Sequence, residues 1–94
     1  MASILIKHTV ADYATWKTVF IEHGSTRKSA GSKGAQVFQS AQNPNEVTVL
    51  FEWDNLENAR KFTEDPSLHE AMQKAGVQGK PEISFLTGGE HLAQ

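Results

Sequence analysis

The pattern Ala-Gly-x-x-Gly stands at two places in the chain, Ala30-Gly31-Ser32-Lys33-Gly34 and Ala75-Gly76-Val77-Gln78-Gly79. Each closes a stretch of helical periodicity that an aspartate opens, and a glycine just past a helix end supplies the left-handed residue that stops it. A β-branched, strand-like run precedes each helical stretch: Ser3 to Val10, then Glu46 to Trp53. A chain that spells strand, capped helix, glycine stop and strand twice is bound to a narrow set of folds. Neither half can bury its apolar face alone, so the two must share one sheet. The expectation is an α+β, ferredoxin-like βαββαβ sandwich, a four-stranded antiparallel-type sheet in the order 4-1-3-2 with two helices on one face. Strands one and three are expected at the centre, running parallel.

Local signals fill in this frame. Asp12 occupies an N-cap position, and Tyr13, Trp16, Val19, Phe20, His23 and Arg27 follow at helical spacing. Gly24 weakens that helix and invites a bend. The second strand is expected from about Ala35 to Ser40, joined through the turn Gln42-Asn43-Pro44-Asn45 to the third. Val47, Val49, Phe51 and Trp53 alternate with Thr48, Leu50 and Glu52 there, a half-buried strand pattern. Asp54 with Glu57 reads as a variant capping box. Leu56, Ala59 and Phe62 form the buried stripe of the helix it opens, and Asp65-Pro66 restarts helix with proline in the first turn. Leu68, Ala71 and Met72 extend the apolar face, and the last strand is expected over Glu82 to Leu86. Residues 1–88 form one domain in this reading, and 89–94 a loosely held tail.

Helices cover only one face of such a sheet. Ile4, Ile6, Val10, Val47, Val49, Phe51, Ile83 and Phe85 share the phase expected beneath them. The opposite phase carries Leu5, Phe38, Leu50 and Leu86 among Lys7, Gln36, Thr48, Glu52 and Ser84. That is too apolar for a face left in water and suits pressing onto a second copy. At 94 residues folding buries roughly two-thirds of the unfolded surface, so a homodimer would also reinforce a modest core.

Composition removes several function classes. Net charge is −2 and the basic residues are scattered, with no basic stripe interleaved with aromatics, so nucleic acid is not an expected partner. The absence of cysteine excludes disulfides and thiolate chemistry and fits a reducing, cytoplasmic setting. Neither a signal-peptide pattern nor an apolar run of membrane-spanning length is present, so no membrane is expected. No histidine or carboxylate spacing matches a metal site, and no Gly-x-Ser-x-Gly elbow or phosphate loop follows a strand. No metal or cofactor is expected.

Chemistry then falls to the histidines, which titrate near neutrality. His8 and Trp53 are expected at the carboxyl ends of neighbouring strands, with Trp16 returning to that end, making an imidazole between two indole walls for a flat ligand. His23 and Arg27, four residues apart, share a helix face and suit an anionic clamp. His69 lies in the second helix and is expected to approach that clamp. The candidate catalytic residues are therefore His8 and His23, and the candidate binding residues Trp16, Arg27, Trp53 and His69. The bland alternative makes the tryptophans core and the histidines ordinary packed residues.

The junction Phe51-Glu52-Trp53-Asp54-Asn55-Leu56-Glu57-Asn58-Ala59 and the later Asp65-Pro66-Ser67 resemble the dimeric α/β-barrel superfamily, closest to small antibiotic biosynthesis monooxygenase-like proteins. The resemblance runs over nearly the whole chain. It implies a homodimer whose sheets face each other and a pocket between sheet and helices in each subunit. It also implies oxidation of polycyclic phenols without metal or flavin. Phe62 and Ser67 stand where such oxygenases commonly carry histidine, and the residue set of their haem-degrading cousins is not found. The expected function is binding of a small, flat organic ligand, with cofactor-independent monooxygenation as the reaction. The alternative is a non-enzymatic dimeric structural, accessory or stress-related module.

Overall fold

The computed structural model describes residues 2–90, 92 and 93. Eight elements follow in order: β1 (Ala2–Val10), α1 (Tyr13–Glu22), α2 (Gly24–Ala30), β2 (Ser32–Gln39), β3 (Glu46–Trp53), α3 (Leu56–Glu64), α4 (Pro66–Lys74) and β4 (Val77–Thr87). The strands form one sheet in the order β2-β3-β1-β4, the expected 4-1-3-2 order seen from the other edge. The fold is the expected ferredoxin-like α+β sandwich. Past Thr87 the described residues of the tail have no regular structure, and His91 and Gln94 lie outside the described residues.

One expectation about direction is corrected. β1 and β3 are antiparallel, with Ile4 opposite Phe51, Ile6 opposite Val49 and His8 opposite Val47. A tight β2–β3 hairpin reverses the chain between those strands, so the parallel pair of the first split unit is β1 with β2, and β3 inserted between them must run the other way. The consequence is spatial. Trp53 is opposite Ala2, not His8, and the two residues lie at opposite ends of the sheet.

Each of the two expected helical arms is broken once. Asp12 caps α1, its carboxylate accepting from Thr15 N at 3.1 Å. The arm breaks at His23-Gly24 and ends at Gly31 with φ 121°. In the second arm the N-cap is Asn55, whose Oδ1 accepts from Asn58 N at 2.8 Å. Asp54, expected in that role, accepts instead from Asn55 N at 2.7 Å and from the Asn58 side-chain amide at 3.0 Å. It has moved one position outward to brace the cap rather than be it. Asp65 begins the second segment as expected, accepting from Ser67 N at 2.8 Å with Pro66 in the first turn.

Sheet alternation sorts the side chains as the phase predicts. Ile4, Ile6, Val10, Val47, Val49, Phe51 and Trp53 are buried beneath the helices with Trp16, Ala59, Phe62 and Leu68. A side chain such as Ile4 or Trp53, fully enclosed, contributes about 1.5–3 kcal/mol through the apolar surface removed from water. Ile83 and Phe85 share this phase, opposite Ile6 and Ile4, yet stay 36% and 39% exposed because β4 is the edge strand. On the other face Phe38 and Leu86 are 50% and 42% exposed, and Leu5 and Leu50 are half-buried neighbours across the β1–β3 pairing. Among the described residues, no helix is long and apolar enough to cross a membrane.

Candidate ligand pocket

His8 projects from β1 into the helix-covered side because it shares the phase of Ile4, Ile6 and Val10. It stands where the β1–β4 register shifts, between Lys7 and Thr9. Its side chain is buried, and neither Nδ1 nor Nε2 has a hydrogen-bond partner in the protein. Burial disfavours the imidazolium and lowers the pKa below its ordinary value. His8 is therefore a neutral imidazole at pH 7, with one donor and one acceptor unspent.

An aromatic row runs across the space in front of it. Trp16, one turn into α1, lies with its ring centre 5.7 Å from that of His8. Phe20, four residues on and hence on the same helix face, stacks on Trp16 at 4.9 Å. Phe20 meets Phe51 of β3 at 5.9 Å, and Phe51 meets Phe62 of α3 at 6.1 Å. Such tilted and offset pairs add to simple burial.

The break between α1 and α2 brings the second histidine in. His23 lies 6.1 Å from Phe62, ring centre to ring centre, and its Nε2 is buried without a partner. Burial and then the Arg27 cation lower its pKa, against a smaller raising effect from Asp65. Arg27, one turn later in α2, lies over Phe20 with its guanidinium carbon 3.8 Å from the ring centre. Its Nη1 donates to Phe20 O at 2.8 Å. Burial makes the charged guanidinium less favourable.

His8, Trp16, Phe20, His23, Arg27, Phe51, Phe62 and Met72 all line one pocket between sheet and helices. The room inside it for a water-sized sphere is about 50 Å³. That holds a few waters and is small beside the roughly 300–1,000 Å³ of ordinary ligand sites. Met72, half-buried with a flexible stem, is a wall that can give way.

Four of the six candidate residues thus meet: His8, Trp16, His23 and Arg27. Trp53 does not join them. It is fully buried against Phe62 at 4.9 Å and lines no part of the pocket, because the antiparallel pairing sends it to the far end of the sheet. His69 is exposed on α4 and also outside the pocket. The sequence reading missed Phe20, Phe51 and Phe62 as pocket walls. Phe51 falls in the helix-facing phase of the sheet, Phe62 in the buried stripe of its helix and Phe20 in the helical spacing of the first arm, and nothing in their spacing separates an aromatic lining a gap from one filling it. Among the described residues, no cluster of three or more His, Asp or Glu side chains forms a metal-binding group.

No protein-family model and no curated protein sequence matches the chain. Solved structures do match in shape. One is a Bordetella bronchiseptica protein named as a candidate antibiotic biosynthesis monooxygenase, with a TM-score of 0.79 at 14% identity, covering 95% of this chain and 97% of its own. Another is SnoaB, a cofactor-independent oxygenase from Streptomyces nogalater, with a TM-score of 0.77 at 14% identity and 99% and 97% coverage. A third is the ActVA-Orf6 monooxygenase of Streptomyces coelicolor, solved with nanaomycin D, with a TM-score of 0.67 at 18% identity and 99% and 91% coverage. At these identities the likeness is one of fold.

Proposed function

We propose, from a fold shared with antibiotic biosynthesis monooxygenases, that this chain binds a small flat aromatic compound between sheet and helices and oxygenates it without a cofactor. The observation that carries the reading is the pair of histidines facing one aromatic pocket, His8 with both ring nitrogens and His23 with Nε2 buried without a protein partner. Buried polar groups ordinarily have partners, and a bound phenol or quinol hydroxyl would supply one.

The chemistry follows from the protonation state of His8. A neutral imidazole is a competent base near pH 7. Proton transfer from a ring hydroxyl to His8 leaves an electron-rich anion that reacts with dioxygen. In monooxygenation of an anthrone-type substrate, one oxygen atom replaces two hydrogens at the ring carbon and the other leaves as water, so the substrate itself supplies the electrons. Trp16, Phe20 and Phe51 wall in the ring and exclude water. Two copies associate through the face carrying Leu5, Phe38, Leu50 and Leu86.

Oxygen consumption measured with anthrone and a panel of quinols tests this. The expectation is turnover by the native chain and a fall of about a hundredfold or more in His8→Gln, the usual contribution of a general base. The narrowness of the pocket favours a second reading, a non-enzymatic dimeric module whose interior is simply filled. Lack of uptake across the whole panel selects that one.

A further inference from the structure

The cation at Arg27 is out of keeping with the pocket it lines. Among the described residues no carboxylate lies within ion-pair distance of it; the ion pairs present are Lys7–Glu46, Lys61–Glu57 and Lys74–Glu22. Its one hydrogen bond within the protein is from Nη1 to the Phe20 carbonyl, which leaves most of a five-donor fork unspent. A guanidinium in such half-apolar surroundings pairs with an anion more strongly than one in open water.

The same side chain forms a wall between two spaces. Inward is the aromatic pocket; outward is a recess between α2 and the start of β2, lined by Arg27, Lys28 and Lys33 with Phe20, Ser32 and Gly34. No acidic residue lines that recess. Asp54, outside that lining, adjoins Gly31 and is taken up by Asn55 N and the Asn58 amide. Three positive charges and no negative one thus surround the outer rim of a pocket whose interior is aromatic.

We infer that the ligand is an aryl carboxylate, its ring held among Phe20, Phe51 and Trp16 and its carboxylate paired with Arg27 at the boundary with the outer recess. The inference rests on the pocket reading above and narrows it from flat aromatics to flat aromatic acids. A planar guanidinium matches a carboxylate through two parallel hydrogen bonds. Phe20 serves both partners, holding Arg27 on one face of its ring and offering an edge of the pocket to the ligand. Lys28 and Lys33 add long-range attraction, which salt screens.

Isothermal titration of the purified chain with 2-naphthoate and with 2-naphthamide, an uncharged molecule of the same shape, decides the matter. Naphthoate is expected to bind at least tenfold more tightly than naphthamide. Arg27→Gln should abolish that preference, and Arg27→Lys should keep part of it. Equal affinities in the native chain, or an undiminished preference in Arg27→Gln, overturn the carboxylate anchor and leave the pocket reading standing. Binding of neither compound overturns both. Should Arg27→Gln fail to fold, the exposed pair Lys28→Gln/Lys33→Gln still discriminates: naphthoate affinity falls two- to fivefold at low salt with naphthamide unchanged, and unchanged affinity for both counts against the anchor.

Discussion

Asp54 lies against the bare Cα of Gly31: a methyl group placed there would sit 2.6 Å from Asp54 Oδ1. The same two residues are tied by Asp54 N donating to Gly31 O at 3.0 Å, so the end of the first helical arm is clamped onto the end of β3. Gly31 has φ 121°, a conformation that strains any residue with a side chain. Gly31→Ala should therefore destabilise the fold by about 2 kcal/mol or more. Adding Asp54→Ala should restore only part of the loss, since it relieves the crowding but not the backbone. Urea denaturation of both variants checks this; full recovery in the double variant would mean that crowding alone sets the cost.

His8 and His23 both have folded pKa values lowered from 6.5. The unfolded chain therefore takes up more protons than the folded one as pH falls below that value. The stability these residues contribute is fully present above about pH 6.5 and drains away as pH falls toward their lowered folded values. Midpoints of urea unfolding should stay nearly level from pH 7.5 to about 6.5 and decrease from there to pH 5, and His8→Phe should flatten that slope. A profile of unchanged steepness in His8→Phe would show that His8 is not held neutral.

Leu5 and Leu50 are paired across β1 and β3 on the face without helices. Leu50→Glu places a charge at the middle of that face without touching the pocket side. The native chain should sediment as a dimer, and Leu50→Glu as a folded monomer with unchanged far-ultraviolet circular dichroism. A native chain that stays monomeric at high concentration would refute the association.

Met72→Ala removes a half-buried wall of the pocket. Stability should fall by about 1–2 kcal/mol, less than for a fully enclosed methionine. Affinity for bulky aromatics should rise, because the space gained lies beside the aromatic row. Titration with 2-naphthamide and with a three-ring analogue reads this out, and an equal loss of affinity for both would show Met72 to be a contact rather than an obstacle.

The alternation of Val47, Val49, Phe51 and Trp53 was enough to place β3 to the residue, and the paired Asp and Gly signals located both helical arms. What failed was direction. A hairpin at Asn43-Pro44-Asn45 reverses the chain, and a parallel β1–β3 pairing is incompatible with it; that one error moved Trp53 to the wrong end of the sheet. The Asn55 cap was missed because Asp54 and Asn55 are both good acceptors, and local sequence does not say which of two neighbours has the extended backbone. β4 begins earlier than expected, through Gly79 and Pro81, because an edge strand tolerates a missing N–H. The meeting of His23 with Phe62 is a contact between arms, outside anything spacing along one helix can report.

The period-two sorting of β1 and β3 has an evolutionary consequence. Ile6, His8, Val49 and Phe51 serve the pocket, while Leu5, Lys7, Thr48 and Leu50 serve the opposite surface. The pocket lining and the helix-free face are thus written in interleaved letters of the same two segments. Substitutions can tune either trait while sparing the other, but gain or loss of one residue inside either strand exchanges the two messages at a stroke. Lineages carrying this architecture should therefore vary by replacement within these strands and confine changes of length to the turns.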